Sequence, residues 1–242
     1  MDKPISISAK CSTYGRVAFL EESLESFIRQ EYEGEYELVI VNDYPLQKLK
    51  YDHPKVRIYN LDKPFDTLGE KENFIISLCK YDTIAVWDDD DLALPNHLKN
   101  INEFFPEHDL LRWNVGIFFK TLSSIKIKNL GNSGIVFSKS IWEKVGGYPL
   151  INGGFDMKFT KKIFRNGGKF VSANPPKEKA SWIYVWGGRG LHASSGGDNL
   201  ALNHAAHIER LRIKGKIPVG EIKLNPNWKQ DYIKKLADFC KL

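Results

Sequence analysis

The stretch TIAVWDDDDLALP, Thr83 to Pro95, sets four consecutive carboxylates at the end of an apolar run. Asp88, Asp89, Asp90 and Asp91 repel one another, and a chain that needed them only for solubility would spread them out. Two readings compete: an acidic turn capping the helix that follows, or a cation site. The run before them, Thr83–Trp87, is short and apolar and predicts a strand. The segment after them, NHLKNINEFF, places Leu98, Ile101, Phe104 and Phe105 on one face of a helix.

The same alternation extends toward the N-terminus. ISISAKCS reads as a strand, and VAFLEESLESFIRQ puts Val17, Leu20, Leu24, Phe27 and Ile28 at helical spacing with acids opposite. YELVIVND is a buried-type strand with turn residues at its end, KVRIYNL a further short strand, and LGEKENFIISLCK a helix. Strand–helix–strand order predicts an α/β fold: a Rossmann-like, mostly parallel central sheet with helices on both faces. Ligands of such sheets bind beyond the carboxyl ends of the strands. Ser12–Arg16, Asn42–Asp43 and the aspartate run all follow strands directly, so they are expected to share one ligand.

The second half is less regular. DLLRWNVGIFF and LSSIKIKN read as strands, and SGIVFSKSIWEKVGG as a strand and a short helix stopped by glycine. FDMKFTKKIFRNGG reads as a helix with Asn166–Gly167 at its C-terminal end. KFVSAN and SWIYVWGG read as strands, and GGRGLHASSGG as a glycine-rich loop able to close over a ligand.

At 242 residues, with 42% hydrophobic and 12% aromatic side chains, the chain can build one sizeable core. No repeat or low-complexity linker divides it, so residues 1–242 are expected to form one domain, about 1–110 as one half and about 111–242 as the other. No apolar run reaches the roughly 18 residues of a membrane span, and MDKPISISAK lacks a signal-peptide core. Cys11, Cys79 and Cys240 show no metal-binding spacing and read as free thiols of a reducing compartment, which makes a cytoplasmic location the expectation. Charge is uneven. Residues 1–120 hold 14 Lys and Arg against 22 Asp and Glu, whereas residues 121–242 hold 21 against 8. Such asymmetry suggests two surfaces with different partners.

Clustered carboxylates at a strand end suit Mg²⁺ or Mn²⁺, hard cations bound by one or two carboxylates plus substrate phosphates. Neither GxxxxGK[ST] nor GxGxxG occurs, which argues against a P-loop ATPase and a dinucleotide oxidoreductase. A nucleoside diphosphate held through a metal remains.

STYGR, VIVND, LGEKEN, VWDDDDLALP, VGGYP and GGFDMKF stand in the order and spacing of glycosyltransferase family 2, which the chain resembles from about Ile5 to Asn166. The resemblance implies a GT-A fold and an inverting transfer from a nucleotide-sugar, a UDP-sugar being favoured. It implies a base pocket lined by Thr13 and Tyr14, with Arg16 nearby and Asp43 as the carboxylate that reads the base. It places Lys71 and Asn73 near the nucleotide, Asp88 and Asp90 in the DxD motif, Asp90 as direct metal ligand and Asp89 near the ribose. Asp156 matches the catalytic base, and His192 a late histidine that faces metal or diphosphate in some relatives. Arg189 would meet a phosphate. Ser12, Gly15, Asn42 and Phe155 depart from the usual pattern, which leaves the base preference open.

Each assignment has a plainer rival. Asp156 also suits a helix N-cap; Lys71 and Arg189 also suit solvent, and His192 a structural hydrogen bond. Trp182 and Trp186 suit either stacking on a ligand or the core. The basic second half implies a polyanionic acceptor, with two forms in view: a hydroxymethylated base in DNA, or a phosphate-bearing glycan or lipid-linked intermediate. Two other classes stay open, a non-catalytic nucleotide- or glycan-binding module and a nucleotidyltransferase.

Overall fold

The computed structural model describes residues 3–118, 123–126, 134–184 and 200–239. In chain order its first half runs β1 (Ile7–Thr13), α1 (Val17–Ile28), β2 (Tyr36–Asn42), β3 (Gln47–Lys50), β4 (Val56–Asn60), α2 (Leu68–Leu78), β5 (Thr83–Val86), β6 (Leu92–Ala93) and α3 (His97–Phe104). Then come β7 (Leu110–Trp113), β8 (Val115–Phe118), β9 (Ser123–Lys126), β10 (Val136–Ser138), α4 (Lys139–Lys144), α5 (Phe155–Arg165), β11 (Phe170–Ala173), β12 (Trp182–Tyr184), α6 (Leu200–Ile213), β13 (Gly220–Lys223) and α7 (Tyr232–Phe239).

Among the described residues the main sheet has seven strands in the order β11-β7-β10-β5-β1-β2-β4. All neighbours run parallel except β10, which is antiparallel to both β5 and β7. Strand periodicity divides the core into two layers. In β2, Leu38 and Ile40 join Leu20 and Leu24 of α1 and Leu98 and Ile101 of α3. Val39 and Val41 point the other way, to Ile75 and Ile76 of α2, Ile141 of α4 and Phe159 and Ile163 of α5. Helices therefore cover both faces, as the alternation predicts.

One predicted strand is two. DLLRWNVGIFF breaks at Asn114, whose backbone N–H donates to Ala173 O at 2.8 Å. β7 stays in the main sheet, while β8 passes to a second sheet ordered β6-β12-β8-β9. β3 and β13 form a parallel pair of their own.

A C-terminal strap returns to α1. Asn225 N–H donates to Glu21 Oε1 at 2.8 Å, Trp228 Nε1 to Ser26 Oγ at 2.9 Å, and Tyr232 Oη to Glu22 Oε1 at 2.9 Å. No helix among the described residues is long and apolar enough to cross a membrane.

Candidate functional site

β1, β2 and β5 lie side by side and parallel, with Thr13 level with Asn42. The loops after them, Tyr14–Arg16, Asp43–Tyr44 and Trp87–Asp91, therefore gather at one end of the sheet, as expected of a doubly wound fold.

The four aspartates divide by environment. Asp89 and Asp91 are buried, Asp88 and Asp90 half-buried. Asp91 accepts from Trp182 Nε1 at 3.2 Å, which ties the run to the second sheet and places Trp182 in the core. Asp89 meets the Arg16 guanidinium through both oxygens, with Nε 3.0 Å from Oδ2 and Nη2 bonded to Oδ1. Arg16 Nη1 reaches Asp90 Oδ2 at 2.9 Å. One guanidinium thus holds two neighbouring carboxylates side by side, a geometry that suits the planar arginine fork and no lysine. Burial lifts Asp89 to a pKa of about 6, against the opposing pull of Arg16 and with the push of Asp90. For Arg16 burial works against the charge, yet Asp89, Asp90 and Asp88 hold it above the ordinary arginine range. The run is no solvated turn. Its odd members are the buried ones, while Asp88 and Asp90 keep part of their surface in water.

Two further buried ion pairs lie beside it. Lys71 Nζ, from α2, bonds Asp43 Oδ1 and donates to Thr13 O at 2.8 Å, while Asp43 Oδ2 accepts from Phe65 N–H at 3.2 Å. Lys71 therefore links the ends of β1 and β2, and Asp43 is oriented through both oxygens. Glu72, next on α2, receives the buried Lys10 ammonium and Ser12 Oγ, the latter at 2.9 Å. Burial opposes the Lys10 charge, but Glu72 and Asp88 outweigh it and raise the pKa. Neither Lys10 nor Glu72 stands out in the sequence. A lysine in the middle of an apolar strand is the signal that points to such a pair.

Asn73, two residues after Lys71, is tied into the fold. Its Oδ1 accepts from Trp142 Nε1 at 2.9 Å and from Tyr148 N–H at 2.8 Å, and its Nδ2 donates to Tyr148 O at 2.9 Å. It fastens α2 to the VGGYP turn. Gly147 has φ +67°, and a Cβ there would come within 2.6 Å of Asn73 Oδ1, so this join requires glycine.

Asp156 lies in the first turn of α5, two residues beyond the N-cap position, which Gly154 occupies with φ +63°. Its Oδ1 accepts from Met157 N–H at 2.8 Å. The loop before it is pinned to the start of α2, where Leu68 N–H meets Asn152 Oδ1 at 3.0 Å and Gly69 N–H meets Ile151 O at 3.2 Å. α2 is thus the shared scaffold of Lys71, Glu72 and the Asp156 turn. Arg189, His192, Trp186 and the whole glycine-rich loop lie outside the described residues.

A contribution missed in the sequence comes from α6. Ile208 packs with Tyr44 and Ile217, and Tyr14 and Leu211 border that cluster. Gly15 has φ +69°, and a Cβ on it would stand 2.7 Å from Ile208 Cγ2, so the glycine lets α6 close onto the β1 loop. His204, one turn earlier, has its ring 6.1 Å from that of Tyr14, which in turn meets Tyr44 edge-on at 4.9 Å. Burial, then the Arg16 and Lys71 charges, depress His204 to a pKa of about 4, so it is neutral at pH 7.

No group of three or more His, Cys, Asp or Glu poised to hold a metal occurs among the described residues. Asp88 and Asp90, half-buried and two residues apart, are the carboxylates that could offer hard oxygens to a divalent ion, with one Asp90 oxygen shared with Arg16.

Comparison with known proteins bears directly on this arrangement. Residues 11–121 match the family model Glycosyl transferase family 2, a segment that holds the three strand ends, α2 and the aspartate run. Residues 11–121 are thus similar to family 2 glycosyltransferases, and the chain has a GT-A fold. No curated protein matches. Among solved structures, S. aureus TarS 1–349 shares 16% identity at a TM-score of 0.61, covering 98% of this chain and 71% of its own. The same fragment in complex with UDP-GlcNAc gives 0.62 at 16% identity, over 98% and 72%. Mannosyltransferase PcManGT from Pyrobaculum calidifontis, in complex with GDP-Man and Mn²⁺, gives 0.59 at 16% identity, over 90% of this chain and 67% of its own. These likenesses extend the GT-A fold beyond the matched segment to nearly the whole chain.

Proposed function

We propose that this chain is an inverting glycosyltransferase of family 2 that moves a sugar from a nucleoside diphosphate sugar to a hydroxyl of a polyanionic acceptor. We take residues 1–242 as one domain, with about 1–110 holding the donor and about 111–242 shaping the acceptor site. The observation that carries the reading is the Arg16–Asp89–Asp90 cluster beside the Lys71–Asp43 pair, at the carboxyl ends of parallel strands. It offers Asp43 to the nucleobase and the half-buried Asp90, with Asp88 beside it, to the diphosphate end, among cations that offset their repulsion.

Transfer would make the bond between the acceptor oxygen and the anomeric carbon while the bond to the diphosphate breaks on the opposite face. Asp156 takes the acceptor proton, a contribution of roughly 10²–10⁴ in rate. Tyr14 and Thr13 line the base pocket, and Asp43, held by Lys71, reads the base edge. Asp88 and Asp90 would hold Mn²⁺ or Mg²⁺, which would supply neutralisation of charge on the leaving diphosphate. No second carboxylic acid is then needed to protonate the leaving group, unlike in a glycosidase. TarS is seen with UDP-GlcNAc and PcManGT with GDP-Man and Mn²⁺, which supports a nucleotide-sugar and a metal. The acceptor reading rests on the charge of the second half, and DNA or a phosphate-bearing glycan would serve.

The test is release of nucleoside diphosphate from a panel of UDP-, GDP- and other nucleotide-sugars, with Mn²⁺ or Mg²⁺, with chelator, and with Asp90→Asn. Metal-dependent release from one donor, lost in Asp90→Asn, is the expected result. No release and no donor binding by the folded protein would leave a binding module instead.

A further inference from the structure

α5 has two faces of opposite character. Phe159, Thr160 and Ile163 are buried against the sheet. At 3.6 residues per turn, Met157, Lys158, Lys161, Phe164 and Arg165 fall within an arc of about 120° on the other side. All five are exposed, Met157 by 44% and Phe164 by 38%. The stripe continues beyond the helix. Phe170, 36% exposed, meets Phe164 edge-on with ring centroids 5.0 Å apart, and Lys169 beside it is exposed. Phe170 belongs to β11, the end strand of the main sheet among the described residues.

The face is predominantly cationic; the carboxylate beside it is Asp109, whose Oδ2 accepts from the Lys169 backbone N–H at 2.8 Å. Asp156 is the one acid in α5, and at this spacing it falls on the inner side of the helix. None of the ion pairs among the described residues includes Lys158, Lys161, Arg165 or Lys169. Three large apolar side chains are thus set in water among four cations. Contiguous exposed apolar surface marks an interaction site, and here the charge says what approaches it.

We propose that this face of α5, with Lys169 and Phe170, docks on the surface of an anionic lipid bilayer. Met157, Phe164 and Phe170 enter the interface, and the four cations meet lipid phosphates. An interfacial helix draws its affinity from buried apolar area and attraction to anionic lipid together, and this stripe supplies both. A nucleic-acid backbone would use only the cations. The two phenylalanine rings stand at 70° to each other, so no base lies flat against both, and Met157 gains nothing from a phosphate backbone.

Docking itself does not depend on the transfer reaction. It deepens the functional reading in one respect. The helix laid on the bilayer is the one whose first turn holds Asp156, and its 11 residues span about 17 Å. An anionic acceptor anchored in the same membrane is thereby brought within one helix length of the proposed base.

The test uses the whole chain without any donor, in flotation with vesicles of phosphatidylcholine alone and of phosphatidylcholine with phosphatidylglycerol. Wild type is expected to float with the anionic vesicles and stay behind with the neutral ones. Each cation removed should weaken binding about fivefold, so Lys161→Gln/Arg165→Gln loses about thirtyfold. Phe164→Ser/Phe170→Ser should lose the part of binding that survives high salt. Equal binding to both vesicle types, or none to either, overturns the proposal. So does capture of a single-stranded oligonucleotide in place of vesicles. An inactive protein that still floats would sink only the enzymatic reading, and an active one that does not float only this inference.

Discussion

The strand-end crevice and the outer face of α5 use charge in opposite ways. In the crevice every cation has its partner: Lys10 faces Glu72, Lys71 faces Asp43, and Arg16 faces Asp89 and Asp90, all nearly out of water. On α5 the lysines and Arg165 stand in solvent beside exposed rings. A buried ion pair is a weak source of stability, because desolvation offsets attraction. What it provides is a fixed arrangement of charge before a ligand arrives. Exposed cations fix nothing and await a counterion from outside. The first region should therefore be intolerant of substitution in every assay, and the second only when its partner is present.

The largest effect is expected at Asp156. Asp156→Asn should lower kcat by roughly 10²–10⁴ while donor affinity, read by calorimetry, is retained. Equal loss of donor affinity would move Asp156 into the donor pocket and erase the distinction between reacting and binding carboxylates. Next comes the crevice floor. Lys10→Met leaves Glu72 buried without its cation and should cost about 3–5 kcal/mol in urea unfolding, whereas Lys10→Met/Glu72→Leu should recover most of that. A double variant as unstable as the single one would mean that the floor depends on charge itself.

A smaller, pH-dependent effect sharpens the same contrast. His97 lies buried between the Trp87 and Trp113 rings with Nδ1 2.9 Å from Ser181 Oγ, and burial depresses its pKa to about 3. The folded chain prefers the neutral ring. The stability it contributes is complete above the ordinary histidine value near 6.5 and is lost as pH falls from there toward 3. His97→Gln should flatten the fall of the unfolding free energy between about pH 6 and 4 relative to wild type, and an unchanged slope would refute the assignment. The smallest effect is expected on α5, where Phe164→Ser should change stability by no more than about 0.5 kcal/mol without lipid. A loss well above that would show the ring to be packed rather than poised.

Much of the fold was legible because β1, β2 and β5 carry strand-like runs and α1 and α3 carry clean helical spacing. The break at Asn114 was not, since both halves of DLLRWNVGIFF favour strand and only the pairing with Ala173 divides them. Thr13, Tyr14, Arg16, Asp43 and the aspartates could be grouped because each ends or follows a strand, whereas Lys71 came only through the family resemblance. Their partners could not be read in this way. Arg16 lies 73 residues from Asp89, and no local pattern announces which carboxylate a guanidinium will choose. Asn73, assigned by the family resemblance, lies two residues and about 200° around α2 from Lys71, on the side of the VGGYP turn. His204 escaped notice because it belongs to α6, which reaches the crevice only through the packing of Ile208 on Tyr44.

The strap across α1 has a consequence for the order of assembly. Glu22 is buried, and the Tyr232 hydroxyl that meets it lies 210 residues further along the chain. A ribosome adding about 5–20 residues per second needs roughly 10–40 s to cover that interval. Throughout it, the helix that follows Arg16 carries a carboxylate turned inward with its lid still unmade. The newborn chain can form its sheet early, but the helix that presents Arg16 to the aspartates is finished only near the end of synthesis.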